Sequence, residues 1–310
     1  MSKIAFLYPG QGAQKCGMGH DFYKESEIAK AVYDEETEVT GMEVPSLCVE
    51  EDDLLNRNDY TQITLLTTCI AMTKEIMANG LMPDMTAGLS LGEYAAIYAA
   101  GGCSVKEAVA MIKTRGELMH SAVPDGSCGM AAVLGLDAET IKSVLEDNEQ
   151  VFVANYNCPG QIVITGNNKA IEEATPAIKA AGAKRVIPLV VSGPFHSPYL
   201  KEAASKLRET LDETQWMKLQ IPYVTNVTAE IVEDITKTPE LLEKQVSSSV
   251  MWEQSMRNMI ANGIDTFIEI GPGKTLSGFM RKIDKKAKMY RIETMEDMKK
   301  ICEELKEINE

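Results

Sequence analysis

Three side chains stand in settings suited to nucleophilic chemistry on a carbonyl. Gly88-Leu-Ser-Leu-Gly92 fits the spacing G-x-S-x-G, in which a serine on a sharp strand-to-helix turn is lifted clear of the backbone. The flanking glycines leave room for the turn, and the next helix points its free N–H groups at the site. The plainer reading is an N-cap serine in a glycine-rich turn. A nucleophilic serine needs a base. His196, in Ser192-Gly-Pro-Phe-His-Ser-Pro198, is a candidate, the alternative being a solvated or capping loop residue. Serine precedes histidine, as in α/β-hydrolases, but no acidic residue between them stands out as a third member. A backbone carbonyl would orient the imidazole without one. Arg115, beside Gly116, is either a helix-face arginine in an ion pair or the planar fork that a carboxylate ligand requires.

Other motifs lead elsewhere. Gly271-Pro-Gly-Lys-Thr275 ends like a phosphate loop, yet the first glycine of that motif would fall at Ile268, and Pro272 removes an amide. Gly10-Gln-Gly-Ala-Gln14 lacks the third glycine of a dinucleotide loop. The other two histidines, His20 and His120, fall near helix ends and read as surface residues. Three histidines without H-x-x-x-H spacing, and seven scattered cysteines without a C-x-x-C pair, give no metal centre and no disulfide framework. Such cysteine usage suits a reducing cytoplasm.

The elements that would position these residues can be read from periodicity. Ile4–Tyr8 is a buried strand closed by Pro9-Gly10, and a strand over 84–87 leads into the serine turn. Helices are expected over Ile63–Met77 and Glu93–Ala100, and from a Ser104/Glu107 capping box to Met119. After Pro124-Asp-Gly126 the pattern becomes strand 130–134, helix 138–145, strands 151–156 and 161–165, helix 169–181 and strand 184–190. That is the β-α-β-β-α-β order of a ferredoxin-like unit. A helix over 198–211, a strand over 222–226, a helix from Glu240 and a strand over 266–270 complete the reading. The expected fold is α/β: an α/β-hydrolase-like large domain with a mostly parallel sheet (1–125 and 196–310), interrupted by a small α+β domain (126–195).

Composition bounds the rest. The 310 residues are 45% hydrophobic and 25% charged, enough to bury a core without staples. A formal charge of −15 argues against nucleic-acid binding as the main activity. No apolar run approaches the roughly 18 residues of a membrane helix. The five apolar residues before Pro9 are too few for a signal peptide, so a cytoplasmic protein away from membranes is expected.

Six motifs in order resemble those of the malonyl-CoA:acyl carrier protein transacylases, acyltransferases of fatty acid synthesis. They are Pro9-Gly-Gln-Gly-Ala-Gln14, Gly88-Leu-Ser-Leu-Gly-Glu93, Arg115-Gly116, Asn155-Tyr-Asn-Cys-Pro-Gly-Gln161, Phe195-His196 and Glu269-Ile-Gly-Pro-Gly273. The resemblance implies Ser90 as acylated nucleophile, His196 as its base, and Arg115 as the group that binds the malonyl carboxylate. It also implies an oxyanion hole from the amides of Gln11 and Leu91, and a Gln245 carbonyl that holds the histidine. Asn155 and Gln161 would line the cleft for the pantetheine arm. Malonyl-CoA would be substrate, acyl carrier protein the partner, and no cofactor would be bound. The carrier would dock on basic residues, namely Lys274, Arg281, Lys282, Lys285 and Lys286, with Lys184 and Arg185. Two departures stand out: Leu89 replaces a histidine frequent in the family, and Val246-Ser-Ser-Ser-Val250 lacks a frequent proline. A polyketide-pathway acyltransferase or a serine hydrolase of the same fold remains open at this level.

Overall fold

The computed structural model describes residues 2–49, 53–123, 126–191 and 193–309. Ten strands form two sheets: β1 (Ile4–Tyr8), β2 (Met85–Gly88), β3 (Cys128–Leu134), β4 (Val151–Cys158), β5 (Gln161–Asn167), β6 (Arg185–Pro188), β7 (Tyr223–Val224), β8 (Ile231–Val232), β9 (Thr266–Ile270) and β10 (Lys288–Ile292). The larger sheet runs β10-β9-β1-β2-β7-β8, and every pair is parallel except the β7–β8 hairpin. Central β1 is buried along its whole length. Ile4, Phe6 and Tyr8 face one apolar cluster while Ala5 and Leu7 face the other, so the two-residue period of a strand sorts one short segment between both faces of the sheet.

The smaller sheet runs β4-β5-β3-β6, antiparallel throughout. Helices Ala138–Val144 and Asn168–Ala180 supply the crossovers of the β-α-β-β-α-β order, and their apolar faces join a third cluster with Val133, Ile162 and Ile164. The segment after Gln245 crosses to this sheet. Val250 N–H donates to the Ala154 carbonyl at 2.8 Å, Tyr156 N–H to the Val250 carbonyl at 2.9 Å, and Ser249 Oγ to the Val153 carbonyl at 2.6 Å. The expected break at Pro124 and Asp125 lies outside the described residues.

Several elements differ from expectation. The helix expected from Ile63 begins at Asn58 and runs to Ala78. Its Thr61, Thr64, Thr67, Thr68 and Thr73 are all buried. The hydroxyls of Thr61, Thr64 and Thr73 bond carbonyls four residues back, at 2.7–2.9 Å, so no apolar stripe marks this core helix. The helix expected over 198–211 starts as a 3-10 turn, Pro198–Leu200, and continues as Lys201–Glu213. The strand expected over 222–226 shortens to Tyr223–Val224 because Asn226 is drawn toward the serine turn. The strand expected over 184–190 keeps only Arg185–Pro188. β10 and the helix Met295–Asn309 have no counterpart in the sequence reading. His20 and His120 are half-buried rather than exposed, each with a shielded, unpartnered Nδ1. Among the described residues, no helix is long and apolar enough to cross a membrane.

Candidate active site

Strand β2 ends at Gly88, Leu89 and Ser90 make the turn, and the helix Gly92–Ala99 departs. Both glycines of G-x-S-x-G are compulsory for this geometry. A Cβ on Gly88 would sit 1.9 Å from the Gly92 carbonyl, and one on Gly92 would sit 2.3 Å from the Tyr8 carbonyl oxygen. Ser90 itself is left-handed, φ 54°, a conformation that costs a non-glycine residue about 1–2 kcal/mol. Tertiary hydrogen bonds hold it there. Leu89 N–H donates to the Tyr8 carbonyl at 2.9 Å. Asn226 receives the Ser90 N–H on Oδ1 at 2.6 Å and donates from Nδ2 to the Gly88 carbonyl at 2.7 Å.

His196 is also left-handed, φ 59°, and only 4% exposed. Its Nδ1 lies 2.8 Å from the Gln245 carbonyl oxygen. A carbonyl can only accept, so the proton resides on Nδ1 and Nε2 is bare. That bare nitrogen lies 2.7 Å from Ser90 Oγ and accepts its hydrogen. Burial, then the charge of Arg115, pulls the imidazole from its usual 6.5 down to about 4, against the opposing bond to Gln245. At neutral pH His196 is therefore an uncharged base. The Gln245 carbonyl is presented although the family's proline is absent.

Arg115 is 1% exposed and, among the described residues, forms no ion pair, so the helix-face reading fails. Its guanidinium donates to Gln62 Oε1 at 2.5 Å, Ser90 Oγ at 2.9 Å and Gln245 Oε1 at 3.1 Å, and it lies 5.6 Å from the Tyr94 ring centre. Burial lowers its pKa, which neighbouring Tyr94 and then the charge of Glu93 partly offset; a guanidinium remains a cation throughout. A buried cation with only neutral hydrogen-bond partners is primed for an anion. It lies beside the serine.

The remaining expected residues divide. Leu91 is buried as the N-cap of the helix after Ser90. Gln11 follows Gly10, whose Cβ would lie 2.6 Å from the Leu89 carbonyl oxygen, so its loop packs on the serine turn. The amides of Gln11 and Leu91 donate to no acceptor among the described residues. Asn155 is buried in β4 opposite Val250. Gln161 opens β5 and accepts from Lys282 Nζ at 3.1 Å. No hydrogen bond among the described residues links either of them to Ser90, His196 or Arg115. Gln62 and Asn226 carry no sequence signal beyond being amides, and were missed. The phosphate-loop resemblance is corrected by Glu269, which accepts from Leu276 N–H and Ser277 N–H, each at 2.9 Å. The chain's own carboxylate fills that helix start, where a phosphate would have to bind.

The site thus combines a bare imidazole nitrogen on a strained serine with a guanidinium that has no carboxylate partner among the described residues. The profile describing the acyl transferase domain matches residues 5–305. The malonyl CoA-acyl carrier protein transacylase of Bacillus subtilis is 45% identical, over 100% of this chain and 99% of that protein. The crystal structure of the transacylase of that name from Clostridium perfringens superposes with a TM-score of 0.94 at 38% identity, covering 99% of this chain and 98% of the other. A malonyl-transacylase in complex with a type II polyketide synthase acyl-carrier protein gives 0.94 at 33% identity, covering 98% and 100%. The chain belongs to the malonyl-CoA:acyl carrier protein transacylase family of acyltransferases.

Proposed function

We propose that this chain moves a malonyl group from malonyl-CoA to the thiol of an acyl carrier protein, in fatty acid synthesis, by a ping-pong exchange through Ser90. His196 Nε2 takes the serine proton as Oγ attacks the thioester carbon. The carbonyl oxygen, now negative, rests on the amides of Gln11 and Leu91. As the tetrahedral adduct collapses, the CoA sulfur leaves with the proton from His196. The carrier thiol then gives its proton to His196, attacks the acyl-serine, and Ser90 recovers its hydrogen. Malonyl-CoA enters as substrate, and the exchange calls for no bound cofactor.

The observation that carries this reading is Arg115 at 2.9 Å from the nucleophile with no carboxylate partner among the described residues. An ester on Ser90 carries the free malonyl carboxylate beside that guanidinium, where the two form charge-assisted bonds. Asn155 and Gln161 belong, in this proposal, to the walls along which the pantetheine arm lies. The chain is divided at 1–125 and 196–310 against 126–195, with the cleft between the two parts. The carrier docks on Lys274, Arg281, Lys282, Lys285 and Lys286, with Lys184 and Arg185. All seven are exposed, and none forms an ion pair among the described residues. They suit a partner that is acidic as a class, despite the net negative charge of this chain.

Intact mass after exposure to malonyl-CoA tests the scheme. Wild type gains one malonyl group and Ser90→Ala gains none; an adduct persisting on Ser90→Ala removes Ser90 from the chemistry.

A further inference from the structure

Behind the reacting residues lies a carboxylate that the exchange itself does not use. Glu93, next after the second glycine of the serine turn, is fully buried. One of its oxygens, Oε2, accepts from Gln245 Nε2 at 2.7 Å and from Asn226 N–H at 3.3 Å. The other, Oε1, has no hydrogen-bond partner among the described residues. Asn226 holds the serine turn, and Gln245 touches everything else. The Gln245 carbonyl accepts from His196, its Nε2 also donates to the Ser90 carbonyl at 2.9 Å, and its Oε1 accepts from Arg115 at 3.1 Å.

A side-chain amide has one accepting end and one donating end, and nothing in its shape tells them apart. Turned over, the amide of Gln245 would bring its oxygen against the Glu93 carboxylate and its N–H groups against the Arg115 guanidinium. Both contacts would be repulsive. Glu93, with the Ser90 carbonyl that accepts from the same Nε2, therefore sets which end of Gln245 faces Arg115, and Glu93 is the charged member of the pair. Its charge also helps, after Tyr94, to offset the burial of that guanidinium, although the two make no direct ion pair among the described residues. We infer that Glu93 is a positioning residue for acyl-group selection: it orients the Gln245 amide so that Arg115 is aimed at the position of the malonyl carboxylate. The inference rests on the malonyl-transfer reading above.

Replacement by glutamine exposes the logic. An amide introduced at position 93 that offers its oxygen to Gln245 replaces a charged acceptor by a neutral one and leaves its own N–H₂ at the place of Oε1, near the unpartnered Thr225 hydroxyl. The reverse orientation sets two N–H₂ groups face to face. In the first orientation the hold on Gln245 weakens to that of a neutral acceptor, and in the second its Nε2 keeps only the Ser90 carbonyl as acceptor. A hydrogen bond to a charged group is worth roughly tenfold to a hundredfold in an equilibrium, and its loss bears most on the Arg115 fork, to which a carboxylate-bearing acyl group adds contacts that an acetyl group lacks.

The test compares the rates at which malonyl-CoA and acetyl-CoA acylate the enzyme, in wild type, Glu93→Gln and Glu93→Asp, each normalised to the amount of enzyme that can be acetylated. Burial pushes the Glu93 carboxyl up to about 7, against its bond from Gln245, so the rates are compared above that pH, where it is ionised. Wild type failing to take up malonyl refutes the functional reading itself, separately from this inference. With wild type active, Glu93→Gln should lose at least about tenfold more malonylation than acetylation. Glu93→Asp, which keeps the charge but withdraws it by one methylene, should lose less. A purely structural role would lower both acylations together, and a malonyl-to-acetyl ratio unchanged from wild type overturns the inference. If Glu93→Gln does not fold, the ratio in Glu93→Asp decides. Failure of both to fold also overturns it, because the carboxylate would then serve folding and not selection.

Discussion

Arg115→Met removes the guanidinium while keeping most of the stem's bulk in a fully buried position, so it isolates the charge from the packing. A malonyl carboxylate on the arginine fork makes up to two charge-assisted bonds, about 1.5–3 kcal/mol each. With both bonds lost, malonyl transfer should fall roughly a hundredfold to about ten-thousandfold or somewhat more in kcat/KM. An acetyl group loses only the single bond from Arg115 to Ser90 Oγ, about tenfold to a hundredfold for a bond from a charged donor, and a malonyl group loses this bond as well as its own. A second effect runs through the base. The Arg115 charge is, after burial, the cause that holds His196 down at about 4. His196 accepts a proton only when neutral, so acylation in wild type is lost as pH falls through about 4. Without the cation the folded pKa of the imidazole rises toward its usual value, and the loss begins at higher pH. Acetyl transfer measured across the acidic range reads this limb without needing the carboxylate site. Equal losses on both acyl groups would refute the role of Arg115 in recognition. An acidic limb that stays in place would refute the electrostatic coupling.

Asn226→Ala leaves the Ser90 N–H and the Gly88 carbonyl without their buried partners, each worth about 1–3 kcal/mol, and should slow acylation by malonyl and acetyl alike, by about tenfold or more. Near-native rates, measured by intact mass against time, would show that the turn holds without its clamp. Charge reversal at Lys274, Arg281 and Lys282, all on or beside the exposed face of the helix Thr275–Ile283, should raise the carrier KM several-fold with kcat for malonyl-CoA loading unchanged. It should also flatten the dependence of carrier turnover on salt. A wild-type rate insensitive to salt would place the carrier elsewhere.

The parts of this protein legible in its sequence are those where the backbone's demands are local. Gly88 and Gly92 are forced by backbone atoms 1.9 and 2.3 Å from where a Cβ would sit, so the serine turn is written in five residues. Strand β1 is a continuous apolar run and β9 an apolar run interrupted by Glu269, and the bounds of both match expectation. The helix Asn58–Ala78 was only half visible because buried threonines satisfy themselves against their own backbone. The partners of the site were harder still. Asn226 meets Ser90 across 136 positions of chain and Arg115 meets Gln245 across 130. A lone asparagine or glutamine carries no pattern that distinguishes such a role from a surface amide. Arg115 illustrates the boundary: its residue type admitted both an ion pair and an anion site, and only its burial without a carboxylate partner chose between them.

The crossing from Gln245 to Val250 has a mechanical meaning. It ties the carbonyl that selects the imidazole tautomer to strand β4 through a few residues of chain, so the smaller sheet cannot swing outward like a door without tugging on the base. The proton acceptor is thereby anchored to both sheets at once.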